Sequence, residues 1–144
     1  MHPDPTRATA SITRDAALDL LAAARAAARD LGIEVAIAVT DAGGHLAAFE
    51  RADAAPFLTA EIAIDKAWTA ASFGLDTRTW SEVAAQPATA GLATHPRLMA
   101  VGGGVPIVAG GRVVGGIGIS GGNARQDHDA AVAALAALGF DAAR

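Results

Sequence analysis

Residues 113–119 alternate like a strand yet carry Gly115, Gly116 and Gly118, and this constrains the chain more than any other feature. Glycine weakens a strand, so a row of it marks a face that another backbone or a ligand approaches closely. The neighbourhood reads as one supersecondary unit. Gly102, Gly103 and Gly104 lead into the apolar run Val105, Ile107 and Val108. Ala109-Gly110-Gly111-Arg112 then turns the chain back, because a Gly-Gly pair accepts the φ > 0 of a two-residue hairpin. Residues 120–123 turn it again, and a helix is expected over 127–138.

Gly116, Gly118 and Gly121 satisfy G-x-G-x-x-G, but the context excludes a dinucleotide site. That fingerprint belongs after a strand, at the opening of a helix in a βαβ unit. Here its first two glycines lie inside a strand that follows a hairpin. Gly118-Ile119-Ser120-Gly121 is one residue short of a nucleophile elbow, which sets aside a serine hydrolase.

Upstream, Thr13 is the expected N-cap of a helix with Asp15 in its first turn. Ala17, Leu20, Leu21, Ala24, Ala28 and Leu31 recur at helical spacing, and Gly32 ends it. Val35, Ile37 and Val39 alternate with alanines as a strand. Asp41-Ala42-Gly43-Gly44 is a turn, and 45–50 returns as a second strand. Thr59 is placed to cap a helix over 60–73, with Gly74 past its end. A shorter helix starts at Asp76 or Thr77 and runs through Ala85; residues 97–101 read as a further strand. Two hairpins force antiparallel pairing, so the fold class is α+β, with about five antiparallel strands and helices packed on them.

The 144 residues suit one domain, with 1–12 as a flexible arm and 13–144 as the folded unit. Cysteine is absent, which excludes disulfides, thiol catalysis and thiolate metal sites. A net charge of −4 without basic blocks argues against nucleic acid as a partner. No run approaches a membrane span, so no membrane association is expected. Residues 1–5 lack a basic region and an apolar stretch, so a cytoplasmic location is expected.

Lys66 is the only lysine. Helical spacing surrounds it with Ile62, Ala63, Thr69 and Ala70, an apolar stripe of small residues. Two readings stand: a lysine whose stem covers alanines, or a partly desolvated ammonium that binds an anion or moves a proton. The histidines are His2, His45, His95 and His128, with no pair at metal-ligand spacing. Haem needs only one axial ligand, so His45 first, then His128, and Met99 remain candidates. Ser120, Gly121 and Gly122 precede a helix and could form an anion-binding nest, with Arg125 adding charge.

Taken together, the chain resembles the GlcG/HbpS-like, or haem-degrading, domain family, which includes the C-terminal domain of PduO-type corrinoid adenosyltransferases. The stretches that carry the resemblance are Asp41-Ala42-Gly43-Gly44-His45-Leu46 with Arg51 and Asp53, Lys66-Ala67-Trp68-Thr69-Ala70-Ala71-Ser72-Phe73-Gly74, Gly103-Gly104-Val105-Pro106-Ile107, and residues 114–121 followed by Asp127. The resemblance implies a profilin-like fold, a homo-oligomer and a haem or corrinoid ligand. The leading expectation is a cytoplasmic homo-oligomer that binds a small anionic ligand, haem or a related tetrapyrrole. Lys66, Arg51, Gly103, Gly104, Ser120, Gly121 and Gly122 are its expected binding residues, and His45 its iron ligand. The alternative is a cofactor-independent enzyme, of proton-transfer, isomerase or lyase type, on a small carboxylate metabolite. Lys66, His45 and His128 would then be catalytic.

Overall fold

In the computed structural model, residues 4–142 are described. Helix α1 (Arg14–Asp30) starts at Thr13, whose hydroxyl accepts from Ala16 N at 3.1 Å. It buries Ala17, Leu20, Leu21, Ala24 and Ala28. Leu31, expected on that face, is instead its half-exposed C-cap. Strands β1 (Ala36–Asp41) and β2 (Leu46–Arg51) form the first hairpin. Helix α2 (Leu58–Phe73) begins two residues early, after Phe57. Thr59 does not cap it; its hydroxyl donates back to Pro56 O at 2.6 Å. Gly74, at φ 66°, ends α2 as expected. Helix α3 (Thr77–Ala84) is capped by Asp76, and a 3-10 turn covers Ala90–Thr94.

The second hairpin joins β3 (Gly104–Ala109) to β4 (Arg112–Ser120) through Gly110 and Gly111, at φ 59° and 75°. Such a pair of positive φ values is what a two-residue turn matched to strand twist requires. Helix α4 (Ala124–Ala137) starts earlier than expected, under a capping box of Asn123 and Gln126.

All pairings are antiparallel, in the order β2-β1-β4-β3. The sheet has four strands, not five, because residues 97–101 are a loop. The hydroxyl of Thr69 on α2 donates to Arg97 O (3.2 Å) and accepts from Met99 N (3.0 Å). The hydroxyl of Thr77 donates to Val101 O. Backbone groups met by helix hydroxyls have no call for a neighbouring strand.

Helices cover both faces of the sheet. Ile37, Val39, Ile117 and Ile119 join Leu20, Leu21, Ala131 and Leu135 in the main core, on the side of α1 and α4. Ala36 and Ala38 meet Ala63 and Ala67 of α2 on the other side. There the bare face of β4 has its explanation. A Cβ on Gly118 would strike Ala63 O, one on Gly116 would strike Ala67 O, and one on Gly104 would strike Lys66 O. The glycines admit the backbone of α2. Among the described residues, no helix is long and apolar enough to cross a membrane.

Candidate functional site

Docking α2 this closely drives Lys66 beneath it. The residue is 2% exposed. Its Nζ donates to Asp127 Oδ2 at 3.1 Å and to Ile119 O at 2.9 Å. Asp127 is equally buried, and its Oδ1 accepts from Gly122 N at 2.9 Å. Burial holds the Lys66 pKa below its ordinary value, while the Asp127 carboxylate pulls it back up. The buried cation is thus paired with the chain's own carboxylate. Gly103, at φ 131°, leaves room for it, since a Cβ there would lie 2.7 Å from Nζ.

The same contacts occupy the expected nest. Gly122 N is bonded to Asp127, and Asn123 N donates to Gln126 Oε1 at 3.0 Å. A Cβ on Gly121 would strike Glu34 O, so this glycine serves a close approach of the α1–β1 loop. Ser120 is buried opposite Ala36, and Arg125 is exposed. Arg51 lies on the edge strand β2, two strands from Ile119, with its guanidinium donating to Ala55 O. Of the residues grouped as one anion site, Lys66, Gly103, Gly104 and Gly122 meet around the Lys66–Asp127 pair, and Arg51 lies apart from them.

The β1–β2 turn is a different setting. His45 is 82% exposed there. Its Nδ1 sits 3.2 Å from Asp41 Oδ1, which also accepts from Gly43 N and His45 N, both at 2.9 Å. Those donors hold the Asp41 carboxyl below its usual range, against a burial effect that raises it. A carboxylate on Nδ1 fixes the tautomer and orients the ring, leaving Nε2 free as a metal-ligating imidazole requires. On one side of the turn, a groove of about 670 Å³ is lined by Arg7, Arg112, Ala42 and Gly43. On the other, a crevice of about 250 Å³ separates Ala42, Gly43 and Gly44 from Trp68, Ala71 and Ser72.

Trp68 is the residue that sequence reasoning missed. His95 stacks on its ring at 5.4 Å between centroids, and the Arg97 guanidinium lies 4.5 Å from its centroid. Arg97 also pairs with Asp65 at 3.2 Å. Asp65 and Trp68 share a helix face by i,i+3 spacing, which was the one local signal. Nothing local shows that the 95–97 loop returns to that face.

His128 faces neither place. It lines a cleft with Asp76, Arg78 and Phe140, and burial holds its pKa below the ordinary value, helped by Arg78 and opposed by Asp76 and Asp129. Lys66, His45 and His128 thus occupy three environments. Met99 is half-buried in the loop beside Thr69, and His2 lies outside the described residues. Among the described residues, no three His, Asp or Glu side chains gather to hold a metal ion.

A family model described as haem degrading protein HbpS-like matches residues 12–136. The chain belongs to this family. This HbpS-like chain is 37% identical to Protein GlcG of Escherichia coli strain K12 over 109 residues, covering 76% of this chain and 81% of GlcG. It is similar to the crystal structure of HbpS, with a TM-score of 0.87, 32% identity, and coverage of 96% and 98% of the two chains. It is also similar to the crystal structure of a PduOC:heme complex, with a TM-score of 0.84, 30% identity, and coverage of 93% and 99%. The matched segment holds the Lys66–Asp127 pair, the His45 turn and the Trp68 platform; Arg7 and Phe140 fall outside it.

Proposed function

We propose that this chain binds haem or a related tetrapyrrole at the β1–β2 turn, and that it does so as a homo-oligomer. The observation that carries the reading is the likeness, across nearly all of both chains, to PduOC, a protein crystallised with haem. The residues at the turn fit such a group. His45 Nε2 is the free nitrogen of an imidazole that Asp41 orients, suited to iron. The groove that Ala42 and Gly43 of the same turn line falls within the usual range of ligand pockets, about 300–1,000 Å³. Arg7 and Arg112 on its walls suit the two carboxylates of a haem. Haem would supply the iron chemistry; the chain would supply one ligand, two cationic contacts and an apolar wall.

In this reading a second copy covers the exposed side of the ring. Phe57 is 87% exposed and Phe73 73% exposed, at the two ends of α2, and Leu58 and Leu92 are also exposed. An interface that covered them would remove this apolar surface from water.

Titrating the protein with haemin tests the reading. A saturable red shift of the Soret band at stoichiometric haem is expected, altered in His45→Ala and weakened in Arg112→Glu. A Soret band that stays that of free haemin in the wild type overturns the reading. Unchanged spectra in His45→Ala overturn the ligand assignment alone.

A further inference from the structure

We infer that residues 7–11 form a strap over the groove beside the β1–β2 turn, which closes on an anionic occupant and is fastened by Arg7. This rests on the reading of that groove as the ligand site. Residues 7–11 lie outside the 12–136 match, so membership of the family does not account for them.

The attachment of the arm sets where it bends. The β3–β4 register breaks where Ile107 faces Gly115 and Val108 faces Val113, which leaves Val114 as the extra residue. A bulged residue has no ladder partner. The Val114 carbonyl instead accepts from Ile12 N at 2.9 Å. One residue earlier, Ser11 Oγ accepts from Ala42 N at 2.9 Å, which ties the arm to the turn that carries His45. Before Ser11 the attachment stops. Residues 4–10 are all exposed, and their hydrogen bonds among the described residues run only between Thr6 and Asp4. A segment with an exposed backbone and no buried apolar contact opens at little cost.

Residues 7–10 nevertheless line the groove, with Ala42, Gly43, Arg112 and Val113. Arg7 and Arg112 are its charged lining residues, no carboxylate lines it, and neither arginine makes an ion pair among the described residues. A cleft lined by one sign of charge concentrates the opposite sign. While the groove is empty, the two guanidinium groups repel and favour an open arm. An anion between them reverses the sign of that interaction. An occupant with two carboxylates can pair one with the fork of Arg7 and the other with Arg112. The occupant then holds its own wall in place, and it leaves only when the strap opens.

Two measurements on the full chain test the strap. One is amide hydrogen exchange of residues 6–10, read by mass spectrometry with and without stoichiometric haemin. The other is the rate of haemin release to an excess of a stronger haem acceptor. Haemin should slow exchange in the arm roughly tenfold. Arg7→Gln should remove that slowing and speed release roughly tenfold, and Arg7→Lys should restore part of both. Arg14→Gln is the control, because Arg14 pairs with Asp15 at 3.6 Å on α1 and does not line the groove; it should alter neither reading. Haemin that binds without slowing exchange in the arm overturns the strap and leaves the haem reading standing. Release from Arg7→Gln at the wild-type rate does the same, as does an arm already protected before haemin is added. A wild type that does not bind haemin overturns the haem reading, and the strap falls with it.

Discussion

Lys66 shows how a single side chain changes meaning once its surroundings are known. Its ammonium is removed from water and meets a carboxylate and a carbonyl at hydrogen-bond distance. Truncating one member of a buried pair strands the other, which costs about 3–5 kcal/mol. Lys66→Met should therefore lower stability by about that amount, measured by urea unfolding, because Asp127 stays buried. Adding Asp127→Asn should recover most of the loss, since the amide oxygen still accepts from Gly122 N. A single variant as stable as the wild type would show that the pair is energetically idle. His128 gives the second prediction at this scale. Its native pKa lies below the unfolded value of about 6.5, so the unfolded chain takes up the proton first. Its contribution is complete above that value and is lost as pH falls through it toward the native pKa. His128→Leu should flatten the stability–pH curve in that window; an unaltered curve would remove His128 as its cause.

Among the elements, β4 and α2 are matched as bare surface to small surface. Gly116 and Gly118 meet the carbonyls of Ala67 and Ala63, and the residues of α2 that face these two glycines are alanines. No rotamer escapes a clash with backbone, so the strand or the helix must move. Gly118→Val should cost at least the ~3 kcal/mol of severe overpacking and displace Lys66 from Asp127. Gly91→Ala is the control, because nothing lies within 4 Å of its added Cβ. It should change stability by less than about 0.5 kcal/mol. Thermal melts of the two variants decide the matter; equal melting temperatures would mean that α2 does not need the bare strand. Edge strand β3 is protected in another way. Pro106 sits on it, where a missing N–H is tolerated, and Asp141 N covers Val108 O at 2.9 Å.

At the scale of the whole molecule, two faces of the sheet are closed by helices while the solvent side of α2 stays apolar at both ends. A homo-oligomer should bury Phe57 and Phe73, with more than about 1,000 Å² covered per interface. Light scattering on the wild type should give a multiple of the monomer mass at micromolar concentration. Phe57→Glu combined with Phe73→Glu should shift that mass toward the monomer, with the circular dichroism unchanged. A wild type that scatters as a monomer would sink the oligomer, and with it the shared haem groove.

Local sequence determined whatever depends on neighbours within a few residues. Thr13 caps α1 because its hydroxyl reaches Ala16 N, and Gly110-Gly111 makes the hairpin because both residues take positive φ. From the two hairpins the antiparallel α+β class followed directly. The glycine row also announced a close approach in the sequence itself. Which partner approaches was decided by tertiary structure, because a backbone and a ligand ask the same thing of a glycine. The fifth strand failed for a similar reason: the hydroxyls of Thr69 and Thr77, about 30 and 24 residues away, captured its backbone. The expected nest is filled by the chain itself, because Asp127 turns inward and meets both Lys66 and Gly122 N. His45 was legible as an isolated imidazole after a turn, and its carboxylate partner lay only four residues away. Trp68 with Arg97, and His128 with Arg78, were not legible. Such pairs are joined only by the path of the chain through space, and no spacing along it encodes their meeting.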